Sequence, residues 1–416
     1  VEEKQEGMKG EGEAEVDEVS ESDCLGGWRY TRDRCVSQQG LVFTITDSER
    51  RKGWMSKSRV QKAADAFRQC GLVVLQNAIS AENVERFRRG LDDHMGQVLE
   101  SRERVRKIVA ASMAKGESPQ ALWKANPSDL HDEAFFTQAN IFRERNDGRI
   151  DFRVSRDIVS EEIYANPFAF PILLRLLGSS LKLKSMHAIQ ALSPSEGASL
   201  KPQHWHRDTG LLFPDDEYFQ LKDVHNKSHG IHLPPYAINQ FIPLTHLTPQ
   251  NGPTEFTLGS HQWGTRWIDD EEDGVSDARF YVEAGSIILS DYRTIHRGTV
   301  NLSKDRRPIG MLIWGREWWS DTINYKSSCM DTSEGPRSRV RNSRVGKITF
   351  LPKHLKEVAQ QALEAALNAP DPTSCGNPGK KAKRKVFFNT CVNAWGESLA
   401  MEINSRFRRP EGEATK

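Results

Sequence analysis

The sequence contains no run of about 18 apolar residues, so no segment of it is suited to cross a bilayer as a helix. It also lacks a charge excess. Its 58 Lys and Arg against 57 Asp and Glu leave a net charge of +1. That balance provides no global field to gather nucleic acid or an anionic membrane. Paired CxxC cysteines are missing as well. Cys24, Cys35, Cys70, Cys329, Cys375 and Cys391 are widely spaced, which argues against a zinc knuckle or a disulfide scaffold. Cys24 and Cys35 are near enough in sequence to pair, but a reduced, intracellular protein is the simpler reading. No internal repeat is visible. Apolar residues make up 37% and charged residues 28%, the balance of a soluble globular protein. A length of 416 residues accommodates one large domain with additions or two ordinary ones. The chain opens with Val1 rather than Met, which leaves open a targeting segment already removed.

Residues 1–22 are rich in Glu, Gly, Lys and Ser. They carry too little apolar surface to offset their ordering entropy and are expected to be disordered. Helical spacing begins at Val60, with Ala63, Ala64, Phe67 and Cys70 on one face and Gly71 as the stop. Leu72–Leu75 reads as a buried strand. Ser80 is placed to cap a second helix with Val84, Phe87, Leu91, Met95 and Val98 on one face. A further helix is expected over 159–177, interrupted or restarted by Pro167 and Pro171. From Leu181 to Trp314 short apolar stretches alternate with turn signals, among them Ser193-Pro194, Asn251-Gly252-Pro253 and Gly285-Ser286. That pattern predicts an all-β barrel or sandwich. Residues 353–369 return to helical spacing, and Pro370 ends them.

The segment Gln203-His204-Trp205-His206-Arg207-Asp208 is the most informative in the chain. Residues two apart on a strand point the same way, so His206 and Asp208 share a face. One imidazole and one carboxylate are two of the three facial ligands that ferrous iron takes in many oxygenases. An HxD tripeptide alone is weak, because it occurs often by chance. The third candidate, His296, follows the Gly285-Ser286 turn and the apolar stretch 287–289. Arg307 comes eleven residues later and opens another apolar stretch. A planar, permanently charged guanidinium suits the far carboxylate of a dicarboxylate cosubstrate.

Together these stretches resemble the phytanoyl-CoA dioxygenase family of iron(II)/2-oxoglutarate oxygenases. The resemblance runs over about residues 60–316. It is carried by Cys70–Leu75, Trp205–Asp208, Phe241–Leu244, Asn251–Thr254 with Gly259-Ser260-His261, and His296 with Arg307. It implies an α+β chain whose core is a double-stranded β-helix, the cupin-like jelly roll, flanked by N-terminal and C-terminal helices. With the segment readings above, the expected domain layout is a disordered acidic segment over 1–22, an oxygenase domain over 23–352, and a helical extension with a basic loop over 353–416. His206, Asp208 and His296 would bind Fe(II), and 2-oxoglutarate and O2 would be cosubstrates. Arg307, with Arg306 as its rival, would hold 2-oxoglutarate. Gln190 and Thr299 are further candidates for cosubstrate contact, although relatives often carry Ser or Thr at the place of Gly298. The implied reaction is oxidation of an unactivated C–H bond of a small molecule, by default hydroxylation, with 2-oxoglutarate converted to succinate. Cyclisation or desaturation in natural-product biosynthesis is the alternative. Asp208 argues against halogenation, where the carboxylate is missing.

Each candidate has a plainer reading. His204, Phe241, Trp263 and Arg316 are candidates to meet substrate, yet Trp263 and Trp267 could simply pack at a loop base. Arg316 could form a surface ion pair, and Gln190 could hydrogen-bond within the barrel wall. His225, His229 and His232 read as a solvated loop, because no Cys or carboxylate spacing supports a second metal. The run 380–385 is basic, but its Gly/Pro context favours a solvated loop over a targeting signal. The stretch 211–237 looks expanded and reads as a lid or substrate loop. The expected partner is a small molecule with a carboxylate, bound by a monomer with no nucleic acid. A non-catalytic cupin-like binding protein and a zinc hydrolase are the competing classes. The intact triad counts against the first, and the missing general base beside the HxD counts against the second.

Overall fold

The computed structural model describes residues 40–116, 141–145, 148–154, 158–196, 200–209, 233–262, 278–319 and 353–367, with Cys35, Leu212, Asp321 and Leu351. Residues 1–22, Trp263, Trp267, the three loop histidines, most of the 211–237 stretch and the basic run lie outside the described residues.

Strand β1 (Val42–Thr44) leads into α1 (Asp47–Lys52) and α2 (Lys57–Cys70). Thr46 starts α1 with a reciprocal capping box to Glu49, and Ser56 caps α2 through the Arg59 amide. The apolar stripe read from the sequence is the buried face of α2: Val60, Ala63, Ala64, Phe67 and Cys70. Gly71 ends the helix in the left-handed region at φ 74°. Strand β2 (Leu72–Gln76) follows directly, and α3 (Ala81–Met113) comes next. The start of α3 is held by the Glu162 carboxylate, which accepts from the Ser80 amide and hydroxyl and from the Asn83 amide. Strands β3 (Ile141–Arg145) and β4 (Arg149–Arg153) precede two short helices, α4 (Glu161–Tyr164) and α5 (Ala169–Leu177). The helix expected over 159–177 is thus broken between Tyr164 and Ala169, where Pro167 falls, while Pro171 is accommodated in the first turn of α5.

The remaining strands are β5 (Leu181–Ala191), β6 (Ala237–Pro243), β7 (Glu255–Phe256), β8 (Ala278–Arg279), β9 (Ile287–Asp291), β10 (His296–Arg297) and β11 (Arg307–Arg316). Helix α6 (Lys353–Leu367) closes the described chain. Eight strands form one sheet in the order β1-β2-β9-β6-β11-β5-β4-β3, antiparallel except for β1 with β2. Strands β10, β7 and β8 form a small antiparallel sheet. This pairing of a large and a small sheet is the α+β jelly-roll core expected above.

Strand alternation sorts the large sheet into two faces. Val73, Leu75, Phe152, Leu312 and Trp314 pack outward with Phe67, Phe87, Leu91 and Leu173 of the helices. Leu72, Val74, Ile189, Phe241, Ile288 and Met311 face inward and pack with Phe256, Ala278 and Phe280 of the small sheet and its margin. The site lies on this inner side. Among the described residues, no helix is long and apolar enough to cross a membrane.

The cysteines differ from the reduced reading. Cys35 is bonded to Cys70, not to Cys24, and the bond ties the segment before β1 to the end of α2. Proximity along the sequence was a poor guide because the helix carries Cys70 back beside Cys35.

Candidate metal centre

His206 lies in an extended segment that makes a single antiparallel bridge with His296 of β10. Both backbone bonds of the bridge form: the His206 amide donates to the His296 carbonyl at 3.0 Å, and the reverse bond is 2.9 Å. The Asp208 amide donates to the Tyr292 carbonyl at 3.2 Å. The main chain therefore fixes where the three side chains start. One ligand atom of each of His206, Asp208 and His296 lies within 4.8 Å of the others.

The imidazole orientations are set by the same backbone. His206 Nδ1 is 2.8 Å from the His204 carbonyl, and His296 Nδ1 is 2.9 Å from the Thr294 carbonyl. A carbonyl only accepts, so each Nδ1 is the ring nitrogen that donates to the backbone, and Nε2 is the one left to meet a metal. Those two Nε2 atoms face Asp208, at 3.9 Å from its Oδ1 and 3.5 Å from its Oδ2. Burial opposes ionisation of Asp208, but His296, His206, the Asn239 amide and Arg149 outweigh it and hold the carboxyl below its usual range. Two imidazole nitrogens and one carboxylate suit Fe(II), with positions left over for other ligands. His206 is the open edge, with 27% of its side chain exposed against 8% for His296.

Arg307 lies on the same inner face. It pairs with Ala191 of β5, which pairs on its other side with Arg149 of β4. Arg307 is buried, and among the described residues its Nε and Nη1 have no hydrogen-bond partner. Burial, with the nearby Arg149 charge, pushes its pKa down to about 10. A buried cation in that state is suited to an incoming anion. Its rival Arg306 points the other way and is ion-paired with Glu196.

Other candidates fall elsewhere. Gln190 is opposite Pro308 and Ile150, so it faces the helical side, where its amide lies 3.4 Å from Asp92. Parity separates it from Arg307, whose neighbour is Ala191. Thr299 donates to the Pro253 carbonyl at 2.6 Å and secures the Asn251-Gly252-Pro253 turn. Gly298 is tied to Gln203, whose side-chain oxygen occupies the space a Cβ would need. His204 is exposed beside the bridge. Phe241 is buried, with its ring 6.3 Å from His296. Arg316 donates to the carbonyls of Pro235 and Leu176, so it is a structural clamp rather than a surface ion pair.

Three inner-face polar residues escaped the sequence reading. Arg149 is ion-paired with Asp151 and acts electrically on both Arg307 and Asp208. Asn239 donates to Asp208 Oδ2 at 2.5 Å. His187 is buried opposite Met311, with Nδ1 3.3 Å from Ser185 Oγ. The available signal was alternation in Arg-Ile-Asp-Phe-Arg, where the apolar residues face the helices and the charges face the site.

Several known proteins are similar to this chain. Dioxygenase af480 of Aspergillus fumigatus is 26% identical over 209 residues, which is 47% of this chain and 58% of that protein. The chain thus spans less than two thirds of that relative. The iron/alpha-ketoglutarate-dependent dioxygenase ausU of Aspergillus calidoustus is 20% identical over 256 residues, 62% of this chain and 70% of that one. Among solved structures, HygX from Streptomyces hygroscopicus with nickel, 2-oxoglutarate and hygromycin B bound is 11% identical at a TM-score of 0.40, covering 66% of this chain and 95% of that one. The phytanoyl-CoA dioxygenase (PhyH) family model matches residues 67–309, which hold the bridge, the triad and Arg307 alike. The chain therefore belongs to the phytanoyl-CoA dioxygenase (PhyH) family.

Proposed function

We propose that the protein is an iron(II)/2-oxoglutarate-dependent oxygenase that oxidises an unactivated C–H bond of a small molecule, by default through hydroxylation. The observation that carries this reading is one inner face bearing both a two-histidine, one-carboxylate cluster and a buried guanidinium whose Nε and Nη1 have no partner among the described residues. His206 Nε2, His296 Nε2 and Asp208 would hold the metal. Arg307 would grip the far carboxylate of 2-oxoglutarate through its planar fork, and Arg149 would add positive potential beside it. Phe241, Phe256 and Met311 keep water from the inner face. Bound iron supplies the Lewis acidity and redox chemistry that couple O2 and 2-oxoglutarate to substrate oxidation, with succinate and CO2 released.

The relatives' names say that they are dioxygenases, and they do not choose a substrate for this chain. The substrate is a small molecule, with a carboxylate as its expected anionic group. Arg293 is bound to Asp291 and Arg316 to backbone carbonyls, so neither of these two arginines argues for that carboxylate. The 23–352 domain boundary belongs to the same proposal.

The test is succinate release from 2-oxoglutarate under ferrous iron, screened over a metabolite panel, with His206→Ala and Asp208→Ala beside the parent. Turnover should need iron and 2-oxoglutarate and should collapse in both variants. Equal turnover in parent and variants would sink the proposal. Protein purified anaerobically with zinc and inert toward 2-oxoglutarate would favour the hydrolase class instead.

A further inference from the structure

The Asp208 carboxylate has a neighbour that metal binding alone does not require. Asn239 lies on β6, opposite Ile313 on one side and Ser290 on the other, and is 1% exposed. Its Nδ2 donates to Asp208 Oδ2 at 2.5 Å. The direction of this amide is determined by its partner. The amide nitrogen faces the carboxylate at hydrogen-bond distance, and a carboxylate that serves as a metal ligand is ionised and only accepts. Asn239 must therefore present its NH2, which turns Oδ1 away. That oxygen is buried and has no hydrogen-bond partner among the described residues. An amide kept at the expense of an unpartnered oxygen points to a task for its other end.

We infer that Asn239 is a positioning residue that makes Asp208 a one-oxygen metal ligand. This rests on the metal-centre reading above. The short, charge-assisted bond draws density from Oδ2 and occupies a lone pair of that atom. Oδ1 is left as the better donor. A carboxylate binding through both oxygens would take one more position on the metal. Three protein ligands leave three positions in an octahedral set, and a chelating cosubstrate with O2 needs all of them. The Asn239 bond keeps the third position open. The plainer alternative is that Asn239 only fills space under β6. Its loss would then lower stability and leave the metal unaffected.

The experiment uses Co(II) with the metal-free full chain, followed by calorimetry and visible absorption. Asn239→Leu removes the donor at similar volume, and Asn239→Ala carries the same comparison if the leucine variant does not fold. The Co(II) dissociation constant should rise about 10- to 100-fold, the range typical of losing a partner to a metal ligand. The d–d bands at saturation should also shift as Asp208 becomes free to chelate. Parent-like affinity and bands in the variants, with or without a lower Tm, would overturn the inference while leaving the metal centre intact. A parent that binds no Co(II) would overturn the metal centre and the inference together.

Discussion

Replacing Arg307 by Met should make the unliganded protein more stable and nearly abolish its use of 2-oxoglutarate. The guanidinium is fully buried beside Arg149, and its pKa falls from the usual guanidinium range to about 10. That fall amounts to about 3 kcal/mol of disfavour for the charged form. The folded state holds this proton less tightly than the unfolded chain. The charge therefore destabilises the fold throughout neutral pH, and relief comes only as pH rises through about 10. Methionine keeps most of the length and removes the charge. After allowing roughly 1 kcal/mol for imperfect packing, the variant should gain about 2 kcal/mol, or a few degrees in Tm. The opposite holds once 2-oxoglutarate is present. Two charge-assisted hydrogen bonds at about 1.5–3 kcal/mol each are lost, so its KM should rise by about 10²- to 10⁴-fold. Thermal melts of metal-loaded protein with and without 2-oxoglutarate read both effects. The parent should be stabilised by the cosubstrate and the variant should not. Arg306→Met, which breaks only the half-open pair with Glu196, should alter neither. A less stable Arg307→Met protein with parental KM would refute the reasoning.

Other outcomes follow from the same structure. Gly71→Ala should destabilise the fold by at least about 1–3 kcal/mol, because Gly71 sits at φ 74° and a Cβ there would be 2.5 Å from His261 Nδ1 and 2.7 Å from Thr294 Oγ1. The denaturant midpoint reads the loss, and an unchanged midpoint would contradict it. Burial disfavours the Asp291 carboxylate, but the bidentate Arg293 partner holds its pKa below the usual range. Its contribution to stability is thus present above the ordinary carboxylate pKa and lost as pH falls through the lowered one. Arg293→Met should flatten that acid limb in pH-dependent melts, and an unaltered limb would count against the pair. Cys35→Ser should lower stability by about 4 kcal/mol, from the 35-residue separation of the bonded cysteines. A variant as stable as the oxidised parent would argue against the bond.

The helices were legible wherever one face was apolar. Val60 to Cys70 and Val84 to Met95 stand where their spacing put them, because those stripes pack on the outer face of the large sheet. The metal ligands were legible from two-residue alternation and chain order. Strands β3 and β4 were not, and the reason is chemical. The inward residues of β4 are Arg149 and Asp151, which face a polar site, so the strand does not carry the apolar inner face that betrays a core strand. Gln190 shows how a one-residue displacement reverses a functional reading. Only the Arg307–Ala191 register reveals that Gln190 looks toward α3. The Cys35–Cys70 bond depended on where α2 carries its last residue, which spacing along the chain does not express.

The two-way backbone bridge between His206 and His296 has a practical consequence. The geometry of the centre belongs to the main chain, and the imidazoles are its contents. A His296→Gly chain should keep a socket of the right shape, bounded by Phe241 and Phe256, since the paired N–H and C=O groups need no side chain to form. Free imidazole, or an imidazole bearing a new substituent, could then be seated there from solution. The site would become one whose donor is chosen by the experimenter rather than encoded.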